Sequence, residues 1–206
     1  MMDAATDDTR TDSVLIALVR HGETEWNRQR RLQGMTDIPL NDTGRAQAVR
    51  TATWLAGDDE WHAVYASQLS RAAETAEIIA RELDLPAPTI HPALAERAHG
   101  VLEGLDHASA RAAVEAQVTT IEGLEPRSSA IARATGALEE IAASHPGCNV
   151  VVVTHGDVIR SLMLHLSDWT LPGAGYAVAN GSVHHVRFEA GTLSLVEPEA
   201  LTGTDA

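Results

Sequence analysis

The sequence contains no lysine, only one cysteine and few aromatic residues. All fifteen basic residues are arginine, and phenylalanine, tryptophan and tyrosine together make up 3% of the 206 residues. The single Cys148 excludes a disulfide within the chain and argues against a secreted, disulfide-stapled domain. Because hydrophobic residues nevertheless make up 44% of the chain, small and branched aliphatic side chains must fill most of the core.

Positive charge is also scarce, and no long hydrophobic run occurs. The formal net charge is −14, which would repel nucleic acid and anionic membrane surfaces in the absence of a local basic patch. No apolar stretch approaches the ~18 residues of a membrane-spanning helix, and the start lacks the cationic and apolar regions of a signal peptide. The sequence therefore predicts a cytoplasmic protein with neither a nucleic-acid nor a membrane partner.

The distribution of polar residues predicts a single domain between two tails. Residues 1–13 and 197–206 are polar and have little to bury, so both are predicted to be tails. Between them, residues 14–196 alternate strand-like and helix-like segments without a linker. This alternation, in a chain long enough for one substantial core, predicts a three-layer α/β/α fold with a mostly parallel central sheet.

Hydrophobic periodicity and turn residues place the individual elements. Strands are predicted at 14–20, 63–66, 89–90 and 149–154, and helices at 45–56, 71–83, 106–118, 128–144 and 157–166. Residues 23–37 and 94–104 are predicted to be loops. In the first helix, one face is expected to be buried, and it contains Ala46, Val49, Thr53 and either Leu55 or Ala56.

Three further segments near the carboxyl terminus are predicted to be edge strands, at 176–179, 182–189 and 192–196. Unpaired strand edges can accept a second chain. A homodimer formed through these edges is therefore one expectation.

Two short apolar runs end in the same dipeptide. Residues 14–20 are followed by His21 and a glycine, and residues 149–154 by His155 and a glycine. Runs of this length are typical of strands buried on both faces, as in a parallel sheet. Because ligands of open α/β sheets bind beyond the carboxyl ends of strands, both histidines are predicted to reach one site.

Cationic groups accompany these histidines. Arg20 ends the first strand, Arg71 begins the helix after the second strand, and Gly156 lets the backbone approach closely where a helix begins. Guanidinium groups match phosphoryl oxygens in bidentate fashion, and helix amino termini add N–H donors. The predicted occupant is therefore a phosphate-sized dianion.

Two histidines exceed what binding alone requires. One imidazole could attack phosphorus as a neutral nucleophile, while the other donates to an equatorial oxygen in the transition state. Cleavage of a phosphate ester also needs an acid for the leaving oxygen, and Glu96, in the loop after the third strand, is the first candidate. Glu103 competes with it for this role.

The residues around these positions resemble a known family. The resemblance is to the phosphoglycerate mutase-like branch of the histidine phosphatase superfamily, and it begins with Arg20-His21-Gly22-Glu23-Thr24-Glu25-Trp26-Asn27. It continues in the same order through Arg31-Leu32-Gln33-Gly34, Ser67-Gln68-Leu69-Ser70-Arg71, Glu96-Arg97 and Thr154-His155-Gly156.

The resemblance implies a role for each matching residue. His21 would become phosphorylated, Arg20, Arg71 and His155 would hold the phosphoryl group, and Glu96 would donate and accept the proton. Phosphate or substrate contacts are also expected at Asn27, Gln33, Gly34 and Gly156. The family uses no metal in this chemistry, so neither a metal nor another cofactor is expected here.

The same resemblance leaves the reaction open between phosphatase and mutase. Only 58 residues lie between Glu96 and His155, whereas the family's cofactor-dependent mutases carry a longer segment there. Gln33, where mutases usually have threonine, also favours a phosphatase. Against this, residues 127–129 read Arg-Ser-Ser where many phosphatases have Gly-Glu-Ser.

The leading hypothesis is a metal-independent phosphomonoester hydrolase of the histidine acid phosphatase type, acting on a small phosphorylated metabolite. The alternatives are a cofactor-dependent phosphoglycerate mutase and a phosphate-binding module without turnover. Arg28, Arg30 and Arg31 are interpreted as rim charges, one of which could hold an anionic end of the substrate.

Overall fold

The computed structural model describes residues 13–58, 60–116, 120–173 and 175–196. The strands in chain order are β1 (Val14–Arg20), β2 (Trp61–Ala66), β3 (Thr89–Ile90), β4 (Asn149–Thr154), β5 (Val183–Glu189) and β6 (Thr192–Leu195). The helices are α1 (Glu25–Arg28), α2 (Asp42–Asp58), α3 (Ser70–Glu82), α4 (His107–Ala116), α5 (Arg127–Ala143) and α6 (Gly156–Leu166).

The six strands form one sheet in the order β3-β2-β4-β1-β5-β6. The first four of these run parallel to one another, β5 pairs antiparallel with β1, and β6 pairs antiparallel with β5. The predicted mostly parallel α/β sheet is confirmed. Its two central strands, β1 and β4, are the two runs that end in His-Gly.

Helices cover both faces of this sheet. Side chains of a strand alternate between faces, and Ile16 and Leu18 of β1 pack with the cluster that includes Leu138 of α5 and Ile159 of α6. Ala17 and Val19 belong to the opposite cluster, which includes residues of α2 and α3. β1 is therefore apolar throughout because both its faces are buried, and the three-layer prediction is confirmed.

One predicted strand is absent. Residues 176–179 have no strand partner, because their carbonyls bind arginine side chains instead. Arg160 Nη1 donates to the Tyr176 carbonyl at 2.8 Å, and Arg20 Nη1 donates to that of Val178. The edge-strand prediction was also wrong for 182–189, since β5 lies between β1 and β6.

The ends and faces of two other segments differ from expectation. The predicted loop 23–37 contains the short helix α1, whose amino end is capped by Thr24. Helix α2 buries Ala48, Ala52 and Leu55, whereas Val49, predicted to be buried, is 40% exposed. Of the residues predicted for that buried face, only Leu55 is buried.

The predicted tails lie outside the described residues, apart from Ser13. Pairing of two chains through edge strands stays a prediction, and the edge strand near the carboxyl terminus is β6. In the described part of the chain, no helix combines the length and the hydrophobicity needed to cross a bilayer.

Candidate active site

The carboxyl ends of β1 and β4 bring the two histidines together. Arg20 pairs in register with Thr154, and the His21 amide donates to the Thr154 carbonyl at 3.0 Å. The ring centroids of His21 and His155 are 5.1 Å apart, at an angle of 60°. The sequence predicted that both histidines reach one site, and the parallel pairing of these strands places them there.

His21 is held in one tautomer. Its Nδ1 lies 2.7 Å from the carbonyl oxygen of Gly22; because a carbonyl can only accept, Nδ1 carries the proton and Nε2 keeps a lone pair. Burial lowers the pKa of His21 well below its ordinary value of 6.5, and the charges of Arg20 and Arg71 lower it further. The ring is therefore a neutral base or nucleophile at physiological pH.

His155 is fully buried beside it. Neither nitrogen of its ring has a hydrogen-bond partner among the described residues. Burial lowers its pKa well below the ordinary 6.5, with further lowering from Arg71 and His21. Because a buried polar group without a partner is costly, this ring is suited to bind an oxygen of a ligand.

Arg20 lies against the start of α6. A Cβ at Gly156 would come within 3.2 Å of Arg20 Nε, so glycine leaves the space that the guanidinium occupies. That Nε is buried and has no hydrogen-bond partner in the described structure. The guanidinium and the amino end of α6 thus place positive charge beside the two histidines.

Arg71 enters the site from α3 and is fully buried. Its Nη1 and Nη2 donate to the carbonyls of Thr36 and Gly34 at 2.9 and 2.8 Å. Burial lowers its pKa below the ordinary value of an arginine, but an arginine stays charged at neutral pH. Its charge therefore acts on both histidines.

Glu96 is the buried carboxyl group of the site, with 9% of its surface exposed. Its Oε1 accepts from the Arg97 amide at 2.9 Å, and its Oε2 from the Asp157 amide at 3.4 Å. Burial raises its pKa to about 6, with a further contribution from the charge of Asp157. Glu96 can therefore hold or release a proton near neutral pH, as an acid–base group must.

Glu103, the competing acid of the sequence analysis, is differently placed. Its carboxylate accepts hydrogen bonds from Met35, Thr36 and His99. Partial burial raises its pKa, but these hydrogen bonds outweigh that effect and hold the pKa below its ordinary value. Glu103 also accounts for the glycine at position 34, because a Cβ there would lie 2.1 Å from Glu103 Oε1.

These groups surround a cavity of about 430 Å³. It is lined by Arg20, His21, Asn27, Arg31, Gln33, Gly34, Glu96, Arg97, His99, His107, Arg127, Gly156, Asp157, Arg160 and Tyr176, among others. Arg71 and His155 are fully buried next to lining residues, since Arg71 binds the Gly34 carbonyl and the His155 ring lies 5.1 Å from that of His21. Among the described residues, no three His, Cys, Asp or Glu side chains are grouped to hold a metal ion.

The two predicted polar contacts from the first loop lie on the cavity wall. Asn27 Oδ1 accepts from the Thr24 amide at 3.1 Å and from Asn180 Nδ2 at 3.2 Å. Gln33 Oε1 accepts from Thr24 Oγ1 at 2.9 Å. Their oxygens therefore brace the loop, which leaves their amide NH₂ groups as the donors that could meet a ligand.

The loop arginines separate into two groups. Arg31 lines the cavity. Arg28 instead pairs with Glu25 on the exposed surface of α1, and Arg30 is an exposed residue with a positive φ of 56°. The interpretation as rim charges therefore applies best to Arg28 and Arg30.

Sequence reasoning missed a cluster of charged residues at the cavity mouth. Asp157 bridges two arginines, with its Oδ2 3.2 Å from Arg97 Nη1 and its Oδ1 3.1 Å from Arg127 Nη2. Asp157 and Arg160 lie within the first turns after His155, and this proximity was a usable signal. Arg127 begins α5, far away in sequence; the resemblance drew attention to residues 127–129, but it gave Arg127 no role.

Comparison with known proteins shows the family to which the chain belongs. The model of the histidine phosphatase superfamily (branch 1) matches residues 16–200. Phosphoglycerate mutase-like protein 4 of Arabidopsis thaliana is 39% identical over 172 residues, which cover 79% of this chain and 75% of that protein. The metal-independent phosphoserine phosphatase of the same plant is 36% identical over 193 residues, or 88% and 80% of the two chains.

Solved structures give the same result. YhfR of Bacillus stearothermophilus superposes with a TM-score of 0.76 at 32% identity, covering 90% of this chain and 96% of that one. A mycobacterial glucosyl-3-phosphoglycerate phosphatase superposes with a TM-score of 0.71 at 28% identity, covering 85% and 90%. The relatives carry the names of phosphatases and of mutases, and the chain belongs to the histidine phosphatase superfamily, branch 1.

Proposed function

We propose that this protein is a metal-independent phosphomonoester hydrolase that works through a phosphohistidine at His21 on a small phosphorylated metabolite. One observation carries the proposal: a neutral His21 with a free Nε2 lies beside buried cations and a carboxyl group whose pKa is about 6. A binding module would require the cations but neither the free nitrogen nor the buried acid.

In the first step, His21 Nε2 attacks phosphorus and the bond from phosphorus to the ester oxygen breaks. Glu96 donates its proton to that oxygen, which leaves as an alcohol. Arg20 and Arg71 offset the charge on the phosphoryl oxygens, and His155 donates an N–H to one of them. The products are phospho-His21, the ionised Glu96 and the free alcohol.

In the second step, water enters where the alcohol left. Glu96, now a carboxylate, takes a proton from this water as its oxygen attacks phosphorus. The bond from phosphorus to His21 Nε2 breaks, which returns a neutral imidazole, a protonated Glu96 and inorganic phosphate. The same carboxyl group thus acts as acid and then as base.

The cavity mouth supports a preference for substrates with a second negative group. Arg20 and Arg71 together match the two charges of a phosphate monoester. Beyond them Arg31, Arg97, Arg127 and Arg160 line the cavity, and Asp157 pairs with Arg97 and Arg127. This excess of positive charge, in a chain of net charge −14, favours a substrate that carries a carboxylate or another anion.

Removal of Arg127 should weaken that preference. In Arg127→Gln, the ratio of kcat/KM for 3-phosphoglycerate to that for a neutral alkyl phosphate should fall ~10-fold, the effect of losing one charged hydrogen bond. Steady-state phosphate release measures the ratio. Arg81→Gln is the matched control because Arg81 pairs with Glu82 on the exposed surface of α3. An unchanged ratio in Arg127→Gln would remove Arg127 from substrate recognition.

The mutase alternative is favoured by the same arginines, since isomerisation of a phosphoglycerate also requires a carboxylate contact. The two reactions separate in one experiment with the wild-type protein in EDTA. We expect inorganic phosphate from 4-nitrophenyl phosphate and from a panel of sugar and glycerate phosphates, at rates that the chelator leaves unchanged. Isomerised phosphoglycerate with little free phosphate would establish the mutase, and activity that depends on added metal would contradict the metal-independent mechanism.

A further inference from the structure

The segment that carries Glu96 is held by side chains rather than by a strand or helix. Residues 95–98 follow a 3₁₀ turn (Pro92–Leu94) and precede another (Gly100–Leu102). Arg133, on α5, reaches this segment. Its Nη1 donates to the carbonyls of Ala93 and Ala95 at 2.8 and 2.6 Å, and its Nη2 donates to the carbonyl of Glu96 at 3.2 Å.

A second residue orients that arginine. Glu125 accepts from Arg133 Nε at 2.8 Å and from Nη2 at 2.9 Å, which is a bidentate ion pair. Glu125 Oε2 also accepts from the Ala98 amide at 3.3 Å, and its own amide donates to the Ala98 carbonyl at 2.9 Å. Arg133 and Glu125 therefore bind the main chain on both sides of Glu96.

The side chain of Glu96 depends on this main-chain placement. Both of its observed hydrogen bonds come from backbone amides, of Arg97 and Asp157. The peptide groups on either side of Glu96 set the direction of its Cα–Cβ bond, and Arg133 binds the carbonyls of both. A displacement of about 1 Å in a reacting group can reduce a rate ~100-fold.

We propose that Arg133 is a positioning residue, which together with Glu125 aims the Glu96 carboxyl group at the leaving oxygen of the substrate. The inference rests on the proposed role of Glu96 as proton donor. A guanidinium is required because it donates to three carbonyls and a carboxylate at once from one rigid plane. A lysine ammonium has the charge but not this geometry.

The test compares two leaving groups. Nitrophenolate leaves phosphorus without protonation, whereas an alkoxide must be protonated as it leaves. In Arg133→Gln, we expect kcat/KM for an alkyl phosphate to fall ~10- to 100-fold more than kcat/KM for 4-nitrophenyl phosphate, a part of the ~10²- to 10⁴-fold that general acid catalysis supplies. Glu125→Gln should change the ratio of kcat/KM for the two substrates in the same direction but by less. In Arg133→Lys, this ratio should return only part of the way to the wild-type value.

Glu96→Gln provides the reference for a lost proton donor, and Arg81→Gln the control for a lost surface arginine. If Arg133→Gln lowers kcat/KM equally for both substrates, Arg133 is a structural residue and the inference is overturned. If Arg133→Gln does not fold, Glu125→Gln serves as the test. A Glu125→Gln variant with the wild-type ratio of kcat/KM for the two substrates would then overturn the inference.

The failure of the proposed function would look different. A wild type without turnover, or a Glu96→Gln variant whose kcat/KM falls equally for both substrates, would overturn the assignment of Glu96 as proton donor and this inference with it. A selective loss in Glu96→Gln without a selective loss in Arg133→Gln would overturn the inference alone.

Discussion

Replacement of His21 by alanine should abolish phosphate release, with kcat lower by about 10⁴-fold or more, as when a catalytic nucleophile is removed elsewhere. Alanine removes the neutral ring nitrogen that would form the bond to phosphorus. His155 is not expected to replace it, because its proposed role is to donate an N–H to a phosphoryl oxygen and its ring centroid lies 5.1 Å from that of His21. Phosphate release from 4-nitrophenyl phosphate over hours measures the residual rate.

Trapping of the intermediate makes this test specific. Wild-type protein that is mixed with substrate and quenched in base should carry one acid-labile phosphoryl group on the peptide that contains His21. His62→Ala is the matched control because His62 is exposed on β2, and it should keep the label and the rate. A label on His155, or a His21→Ala variant with wild-type turnover, would disprove the mechanism.

Replacement of Glu96 by glutamine should give the second large effect, a loss of ~10²- to 10³-fold in kcat for alkyl phosphates. The wild-type acid must be protonated before attack, so kcat/KM should fall as the pH rises through about 6, the pKa of Glu96. His21 stays neutral in this range because its pKa lies well below 6.5. The fall near pH 6 should vanish in Glu96→Gln, and its persistence would assign it to another group.

Stability measurements separate this loss from unfolding. The pKa of Glu96 is about 6 in the folded protein, against an ordinary 4.5. Its contribution to stability is therefore greatest below pH 4.5 and declines as the pH rises through 6, by about 2 kcal/mol in total. Glutamine cannot ionise, so Glu96→Gln should be as stable as the wild type at pH 7 or more stable. Urea unfolding measures this, and a clear loss of stability would contradict the assignment of a buried, ionisable group.

The strand ends show why part of the site could be read from the sequence. Residues 14–20 and 149–154 are apolar because β1 and β4 are buried on both faces, and such runs are recognisable without a structure. Strands that run parallel in one sheet have their carboxyl ends at the same edge of that sheet. The meeting of His21 and His155 therefore follows from local pattern and a general rule of chain topology.

Other predictions failed where the local pattern was ambiguous. Residues 176–179 have the composition of a strand, but Arg20 and Arg160 bind two of their carbonyls. Helix α2 is rich in alanine, so several faces are nearly equally apolar, and contact with α3 and with the sheet selected the one that contains Ala48 and Ala52. Both outcomes depend on residues far away in the chain.

The α/β class, the central strands and the His-Gly pairs at their ends can be predicted from the sequence, because they depend on short-range hydrophobic pattern and turn chemistry. The folded structure is needed to see which carboxyl group is buried, which histidine nitrogen is free, and that Arg127 and Arg133 reach the segment and cavity around Glu96. Burial, proton position and ion pairing are properties of the space between distant segments, and that space exists only once the layers have packed.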